Sequence, residues 1–410
     1  MSRLIAFLIT VIGLGGTAMA QPYTLAQLLQ MATDRSQNLQ ALRTQLAAVD
    51  PLIDRAGALD NPVLDLGLGL KQSPSAAGLA YGIAYLQPLN PAGKAELIKQ
   101  SLELDRSILK LKIKLAEAEL TYETALASYH YDAAQKKYRY AASRMEWAEL
   151  IKTYLRSRPF ASPQQKIEVM LVENRLRAIT SEAEALQMEL GLDQVWLQGL
   201  VQEDNFKNVQ LHGLNRFTGN QDPLISESDI PKIVHDIPSL RLAQVERDRQ
   251  GVELAQSRIS AEPQWSVGGG ISQEMAGGTD TIIQSALQIS LPVYRQQAAQ
   301  VAHLIQLGKA LDQDLERQRR QRQLELATLR IQWQSGLKQL AYYPIDIIHQ
   351  HQDRLQTATD FFKKGQLDLI SLLELEDQVS QAAFRALDVQ GDLAQAYFKF
   401  CQLTAADVKP

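Results

Sequence analysis

The second half of this sequence repeats the first half. Residues 38–71 align without a gap to residues 239–272, and the alignment places Pro62 on Pro263. Each copy reads as a helix, then a proline, then two alternating segments, and the second segment stops at another proline. A duplication of this kind dictates the architecture, because each copy is expected to form the same structural unit. The chain is therefore predicted to contain two related units in tandem.

Two segments in each copy alternate between apolar residues and small or polar residues. This period of two is the pattern of a β-strand with one apolar face. The strands are predicted at about 62–72, 79–89, 263–273 and 281–291. The predicted apolar face includes Leu64, Leu66, Leu68, Leu70, Trp265, Ile283, Leu287 and Ile289. Each strand has roughly 9–11 residues, enough for a tilted strand to cross a bilayer. Two hairpins packed in a soluble core would explain the alternation equally well.

The N-terminus predicts export. An apolar run follows Arg3, and small residues lead to Ala18 and Ala20, which is typical of a secretory signal peptide over residues 1–20. No later segment has about 18 uninterrupted apolar residues, so we expect no membrane-spanning helix in the mature chain. The single cysteine, Cys401, cannot form an internal disulfide, and the sequence indicates no role for it. The net charge of −4 argues against a nucleic-acid partner.

If the four strands enter a membrane, they cannot do so within one chain. An open sheet edge in hydrocarbon leaves backbone groups unpaired at several kcal/mol each, so the sheet has to close into a barrel. The smallest membrane barrels have about 8 strands. Two copies of the chain would give about eight strands and a filled interior, whereas three would give about twelve strands and a pore. The sequence by itself does not choose between these assemblies.

Most of the remaining chain is predicted to be helical. Residues 95–155 contain no proline or glycine and give a helix of roughly 90 Å, whereas Pro344 should kink its counterpart in the second copy. Apolar residues recur in steps of three and four, as in coiled coils. The predicted fold class is mainly α with a small membrane β part, in which a duplicated helix–strand–strand–helix–helix unit forms long antiparallel coiled-coil hairpins. The helices are predicted at about 24–58, 95–155 and 163–200 in the first unit, 21–220, and at about 239–260, 296–362 and 367–403 in the second, 221–410.

Several short motifs follow one another in a fixed order. Residues 56–62 lead into the first strand, residues 87–94 leave the second, and residues 287–294 close the fourth. A turn that begins at Gly365 separates the last two helices. In this order, and with the duplication, the motifs resemble those of TolC-type outer-membrane efflux proteins over nearly the whole mature chain. The segment 87–94 is more similar to the heavy-metal-cation branch of that family than to the drug branch.

The resemblance implies an architecture and a role. It implies a homotrimer in which each chain gives four strands to a twelve-stranded barrel in the outer membrane of a diderm bacterium, while the helices continue as an α-barrel through the periplasm. It also implies a passive exit duct of a tripartite efflux or secretion system. The expected partners are outer-membrane lipid, a periplasmic adaptor (membrane fusion) protein and an inner-membrane pump. The transported substrate, whether metal cation, drug or protein, depends on that pump.

The same resemblance implies a constriction at the inner end of the duct. Two positions that are acidic in the family are here Ser371 and Glu374, and Asp368 lies one turn away. The corresponding positions of the first copy are Gln165 and Glu168. Three symmetry-related Glu374 carboxylates would form an acidic ring that favours cations. The alternative is that Glu374 caps the last helix or is solvated at its start.

The two helix turns at that end are the predicted contact with the adaptor. The predicted docking residues are Arg158, Pro159, Phe160, Lys363, Lys364 and Gly365. An exposed turn is not a docking site by that fact alone. A second hypothesis also remains, a soluble periplasmic coiled-coil adaptor or tether whose hairpins form a small β domain. A continuous lipid-facing band on the strands distinguishes a channel from this alternative.

No residues converge for catalysis. The six histidines are scattered, and His349 and His351 are two apart on a predicted helix, so they point to different faces and cannot share a metal. The sequence therefore predicts no enzyme and no cofactor. Glutamates on the long helices are expected on solvated faces, among them Glu117, Glu119, Glu173 and Glu182.

Overall fold

The computed structural model describes most of the chain, and the described helices and strands divide into two compact units. We call Met1–Gln37, Leu115–Ile233 and Gln323–Pro410 the helical unit, and Asn38–Lys114 and Val234–Arg322 the sheet unit. The predicted signal peptide, Pro344, Pro159 and Phe160 lie outside the described residues. The described residues are 22–58, 60–73, 76–158, 162–203, 210–212, 214, 217, 224–275, 278–290, 296–343 and 347–408.

The described elements follow the duplicated order. The strands are β1 Pro22–Thr24, β2 Val63–Ser73, β3 Ala76–Leu89, β4 Gln210–His212, β5 Gln264–Glu274 and β6 Asp280–Ser290. The helices are α1 Leu25–Arg35, α2 Gln37–Arg55, α3 Lys94–Ser157, α4 Pro163–Val201, α5 Ile230–Asp236, α6 Pro238–Ser260, α7 Gln296–Tyr342, α8 Ile347–Lys363 and α9 Leu369–Thr404. In the described part of the chain, no helix has the length and hydropathy that a membrane span needs.

Two predicted helices are each divided in the structure. The helix expected over about 24–58 is interrupted at Ser36, which has extended backbone angles of φ −62° and ψ 112°. Serine favours such breaks because its hydroxyl competes for nearby backbone groups. The helix expected over about 296–362 is present as α7 and α8, and residues 344–346 between them are not described.

The long helices follow from local sequence. The helix α3 contains 64 residues, and it continues for as long as the chain avoids glycine and proline. The next helix, α4, begins where Ser162 accepts a hydrogen bond from the backbone of Gln165 and Pro163 occupies the first turn. These two signals fix the residue at which α4 begins.

The sheet unit contains one antiparallel sheet with the order β2-β3-β5-β6. Each copy of the repeat supplies one hairpin, and the pairing of β3 with β5 joins the two hairpins. Within the described chain β2 and β6 each pair on one side only, so both are edge strands.

The helical unit is held together by apolar side chains between its helices. The coiled-coil stripe of α7 is buried, as its spacing predicts. An aromatic group packs where Phe217 lies 5.5 Å from Trp333 and 6.0 Å from Tyr397, measured between ring centroids. The buried stripe of α7 consists of Leu326, Leu329, Trp333, Leu337 and Leu340.

Candidate functional site

The four long strands present one continuous apolar face. Leu66 lies opposite Ile83, Ile83 lies opposite Ile271, and Ile271 lies opposite Ile283. Residues directly opposite in a sheet project from the same side, so this row runs across all four strands. By the same register all eight residues of the predicted apolar face share that side. The face is exposed, with Leu68 at 81% and Ile283 at 80%.

An exposed apolar surface of this kind marks a place where the chain contacts lipid or another protein. Leu64, Leu66, Leu68 and Leu70 are all more than half exposed, and bulky residues of β3 extend the face beside them. We call this surface the apolar face. The apolar face argues against the alternative in which the hairpins pack in a soluble core, because such a core would bury these side chains.

The other side of the sheet carries small and polar residues, and we call it the small face. Gly67 lies opposite Gly82, and Gly270 lies opposite Ala84. The strands β3 and β5 approach so closely here that a Cβ added at Gly268 would lie 1.9 Å from the carbonyl oxygen of Tyr85. Glycine is therefore required at position 268, because a side chain there would collide with a backbone atom of the neighbouring strand.

Glycine also ends α8 at the second helix turn. Gly365 has φ +73°, a conformation that side chains rarely adopt. Its N–H donates to the carbonyl of Phe362 at 2.9 Å, and the N–H of Gln366 donates to that of Phe361 at 2.9 Å. These two hydrogen bonds form a Schellman motif. Lys363 and Lys364 precede this glycine as exposed side chains.

Of the predicted constriction residues of the second copy, Asp368 caps a helix, whereas Glu374 is exposed. Asp368 caps α9, because its carboxylate accepts hydrogen bonds from the backbone N–H of Ser371 at 2.9 Å and from its hydroxyl at 2.7 Å. These hydrogen bonds lower the pKa of Asp368. Glu374 is exposed and forms no ion pair with another described residue. The capping role considered for Glu374 is therefore filled by Asp368.

In the first helix turn the candidate residues interact within the chain. The Arg158 guanidinium lies over the ring of Tyr154 at 4.9 Å and over that of Phe362 at 5.5 Å. Arg158 also lies 3.6 Å from the carboxylate of Glu168. The buried side chain of Gln165 donates to the Leu155 carbonyl at 2.6 Å. The Gln165 amide is thus engaged in a hydrogen bond between α4 and α3. We therefore do not propose Gln165 as a constriction residue.

A buried ionic cluster connects α3, α4 and α9, and it is not among the predictions from the sequence. The side chain of Glu376 is 0% exposed and accepts from Arg144 Nε at 2.6 Å and from Arg175 Nη2 at 2.6 Å. Arg144 also contacts Glu182 at 2.6 Å, and Arg175 contacts Asp377 at 2.6 Å. Glu182 was predicted on a solvated face; its side chain is 39% exposed, and it also forms an ion pair with Arg144 of α3.

The position of Glu376 in the sequence carried a signal for this cluster. Buried residues recur along α9 in steps of three and four, at Leu369, Leu372, Val379 and Ala383. Glu376 fits the same series, so a carboxylate stands at a position where the coiled-coil pattern requires an apolar residue. A charge at such a position needs a partner from another helix.

Comparison with solved structures identifies the fold. The outer-membrane channel OprN superposes with a TM-score of 0.76 at 16% identity, over 93% of this chain and 90% of that chain. CusC, described as forming a transmembrane channel, gives a TM-score of 0.73 at 13% identity, over 93% and 91%. The open-state outer membrane channel MtrE of Neisseria gonorrhoeae gives 0.73 at 13%, over 93% and 88%. No protein-family model and no curated protein matches the sequence. The chain has the TolC-type fold of outer-membrane channels, which confirms the predicted fold class.

Proposed function

We propose that this chain forms a homotrimeric outer-membrane channel that is the passive exit duct of a tripartite efflux or secretion system. The observation that carries the proposal is the sheet, in which an exposed apolar face lies between two edge strands. Unpaired edges cost several kcal/mol per backbone group in lipid, so β2 of one copy has to pair with β6 of the next. The fold shared with outer-membrane channels supports this reading.

The small face favours three copies over two. Three copies of the four-stranded sheet give twelve strands, whereas two copies give eight. An eight-stranded barrel is filled by the side chains that point inward. The small face has glycine at Gly67, Gly69, Gly82, Gly268 and Gly270, and these residues cannot fill an interior. A twelve-stranded barrel needs no filling, because its lumen is open.

The helix turns are the proposed contact with a periplasmic adaptor protein, which would connect the duct to an inner-membrane pump. Lys363 and Lys364 are exposed, whereas the guanidinium of Arg158 packs over two aromatic rings. The two lysines therefore are the stronger candidates for contact with an acidic adaptor surface. Arg158 would act by keeping the turns together.

The mass of the protein extracted from outer membranes tests the proposal directly. Light scattering with the detergent contribution subtracted should give three times the mass of the mature chain. The protein should also stay in the membrane fraction during a carbonate wash. A monomer or dimer in the soluble fraction would contradict the proposal and favour the soluble adaptor or tether.

Glu374 is the proposed constriction residue, and its removal should weaken cation preference. In a trimer that inserts normally, Glu374→Ala is expected to lower the potassium-to-chloride permeability ratio at least about twofold, since a unit charge near an ion in water contributes of order 0.5–1 kcal/mol. Reversal potentials in planar bilayers under a salt gradient measure this ratio. Glu184→Ala, at an exposed glutamate of α4, is the matched control. An unchanged ratio for Glu374→Ala would remove Glu374 from the constriction.

A further inference from the structure

The residues of α9 are buried or half-buried by its own chain except along one line, where they are exposed. Its exposed residues begin with Ile370 and Glu374, and all the others continue the same line. The steps between them are four or three residues and average about 3.6, which is the period of an α-helix, so the line stays on one side. The remaining exposed residues of α9 are Gln378, Gln381, Arg385, Asp388, Asp392 and Gln395.

The chemistry of this line indicates that it faces water in the assembled protein. After Ile370 every exposed residue is polar or charged. The exposed surface of α4 is different, because Ile167, Met170, Leu192 and Val195 are each more than half exposed there. The cores of protein interfaces are depleted of charged residues and enriched in apolar ones. The polar line of α9 therefore does not have the composition of a surface that another chain covers.

Besides Glu374, two charges on the line have no ion-pair partner among the described residues. Asp388 is paired with Lys137 at 2.7 Å, so its charge is largely compensated. Neither Arg385 nor Asp392 forms an ion pair with another residue in the described part of the chain. The two are separated by about two helical turns, roughly 10 Å, and carry opposite charges. An ion that passes close to this line would meet both of them.

We propose that the polar line of α9 is a wall of the duct along which hydrated ions and small polar solutes pass, and that Asp392 and Arg385 set the ion preference with opposite signs. This inference rests on the proposed channel function. It places selectivity charges farther along α9 than Glu374, by about 17 Å for Arg385 and about 27 Å for Asp392 at 1.5 Å per residue. Selectivity would then be distributed along the helix and would not depend on the constriction alone.

Reversal potentials of single-charge variants test the assignment. At about 0.1 M salt the screening length is about 10 Å, so only charges close to the ion path have a full effect. Asp392→Asn should lower the potassium-to-chloride permeability ratio about twofold, and Arg385→Gln should raise it by a similar factor. The matched controls are Glu184→Gln and Arg177→Gln, which neutralise exposed charges of α4 and should leave the ratio unchanged.

A cysteine variant gives a second readout, which depends on whether a thiol reagent reaches the side chain and not on the charge of that side chain. The native Cys401 is buried, and burial raises its pKa to about 11, so it remains a poorly reactive thiol at neutral pH. In this background the thiol introduced by Asp392→Cys should react with a bulky methanethiosulfonate reagent, and the channel should then lose most of its conductance. Arg177→Cys should react without such a loss.

The results distinguish a failure of the proposed channel function from a failure of the assignment of the α9 line. A wild-type protein that gives no channel in bilayers would overturn the proposed function itself. A normal channel in which the Asp392 and Arg385 variants keep the wild-type ratio, and Asp392→Cys keeps its conductance, would overturn only the assignment of the α9 line. Controls on α4 that shift the ratio as strongly would overturn that assignment too.

Discussion

Replacement of Gly268 by alanine is expected to reduce the yield of assembled trimer at least about tenfold. A methyl group at Gly268 would lie 1.9 Å from the Tyr85 carbonyl oxygen, so β3 and β5 have to separate at this point. The separation breaks hydrogen bonds between the two hairpins, and each unpaired group in lipid costs several kcal/mol. Since about 1.4 kcal/mol corresponds to a factor of ten, a single lost contact suffices for this effect.

Gly67→Ala is the matched control for this experiment. Gly67 is on the same small face, but a Cβ added there meets no atom within 4 Å. Both variants change one glycine to alanine in a strand, so they differ in the space available and not in chemistry. Trimer recovered from outer membranes, measured by size-exclusion chromatography with light scattering, should be near wild-type for Gly67→Ala. An equal yield for the two variants would show that the close approach of β3 and β5 is not needed for assembly.

The apolar face could be predicted because it depends on a sequence pattern within each strand. A period of two in the sequence assigns each side chain to a side of the strand, and only the pairing register is missing. The duplication supplied two hairpins of the same kind, so the face in each copy could be read in the same way. The structure adds that β3 pairs with β5, which brings Leu66 and Ile283 into one row. The requirement for glycine at Gly268 was not visible, because it depends on the distance between two strands from different copies.

The helix turns were only partly predictable for a related reason. The sequence predicts a turn at Gly365, and the positive φ of this residue gives a local cause. The sequence predicts Arg158 as a docking residue, but it does not predict that the Arg158 guanidinium packs on Phe362, which is far away in the sequence. Glu376 and Arg144 are separated by 232 positions, so their contact depends entirely on which helices meet. Contacts of this kind are a property of the tertiary packing, and the pattern of one helix indicates only that a partner is needed.

Replacement of Glu376 by leucine is expected to destabilise the helical unit by up to about 3–5 kcal/mol, because it removes one of the two carboxylates that pair with the buried Arg144. The side chain of Arg144 is 5% exposed and would keep only Glu182. Arg175 retains Asp377 and more contact with water. The expected decrease in the thermal midpoint in detergent is on the order of 10 °C. Glu374→Leu is the control, because it makes the same change two residues away at an exposed site on the same helix.

A double variant distinguishes a requirement for charge from a requirement for packing. If the cost of Glu376→Leu comes from the unpaired guanidinium, then adding Arg144→Met should restore part of the lost stability, because paired apolar side chains of similar volume replace buried ion pairs well. Glu182, which is partly exposed, can be solvated when Arg144 is gone. The four thermal midpoints form a double-mutant cycle whose coupling should be at least about 1 kcal/mol. Additive losses would instead show that each side chain contributes through its own packing, and that the contact between Arg144 and Glu376 does not join α9 to α3 energetically.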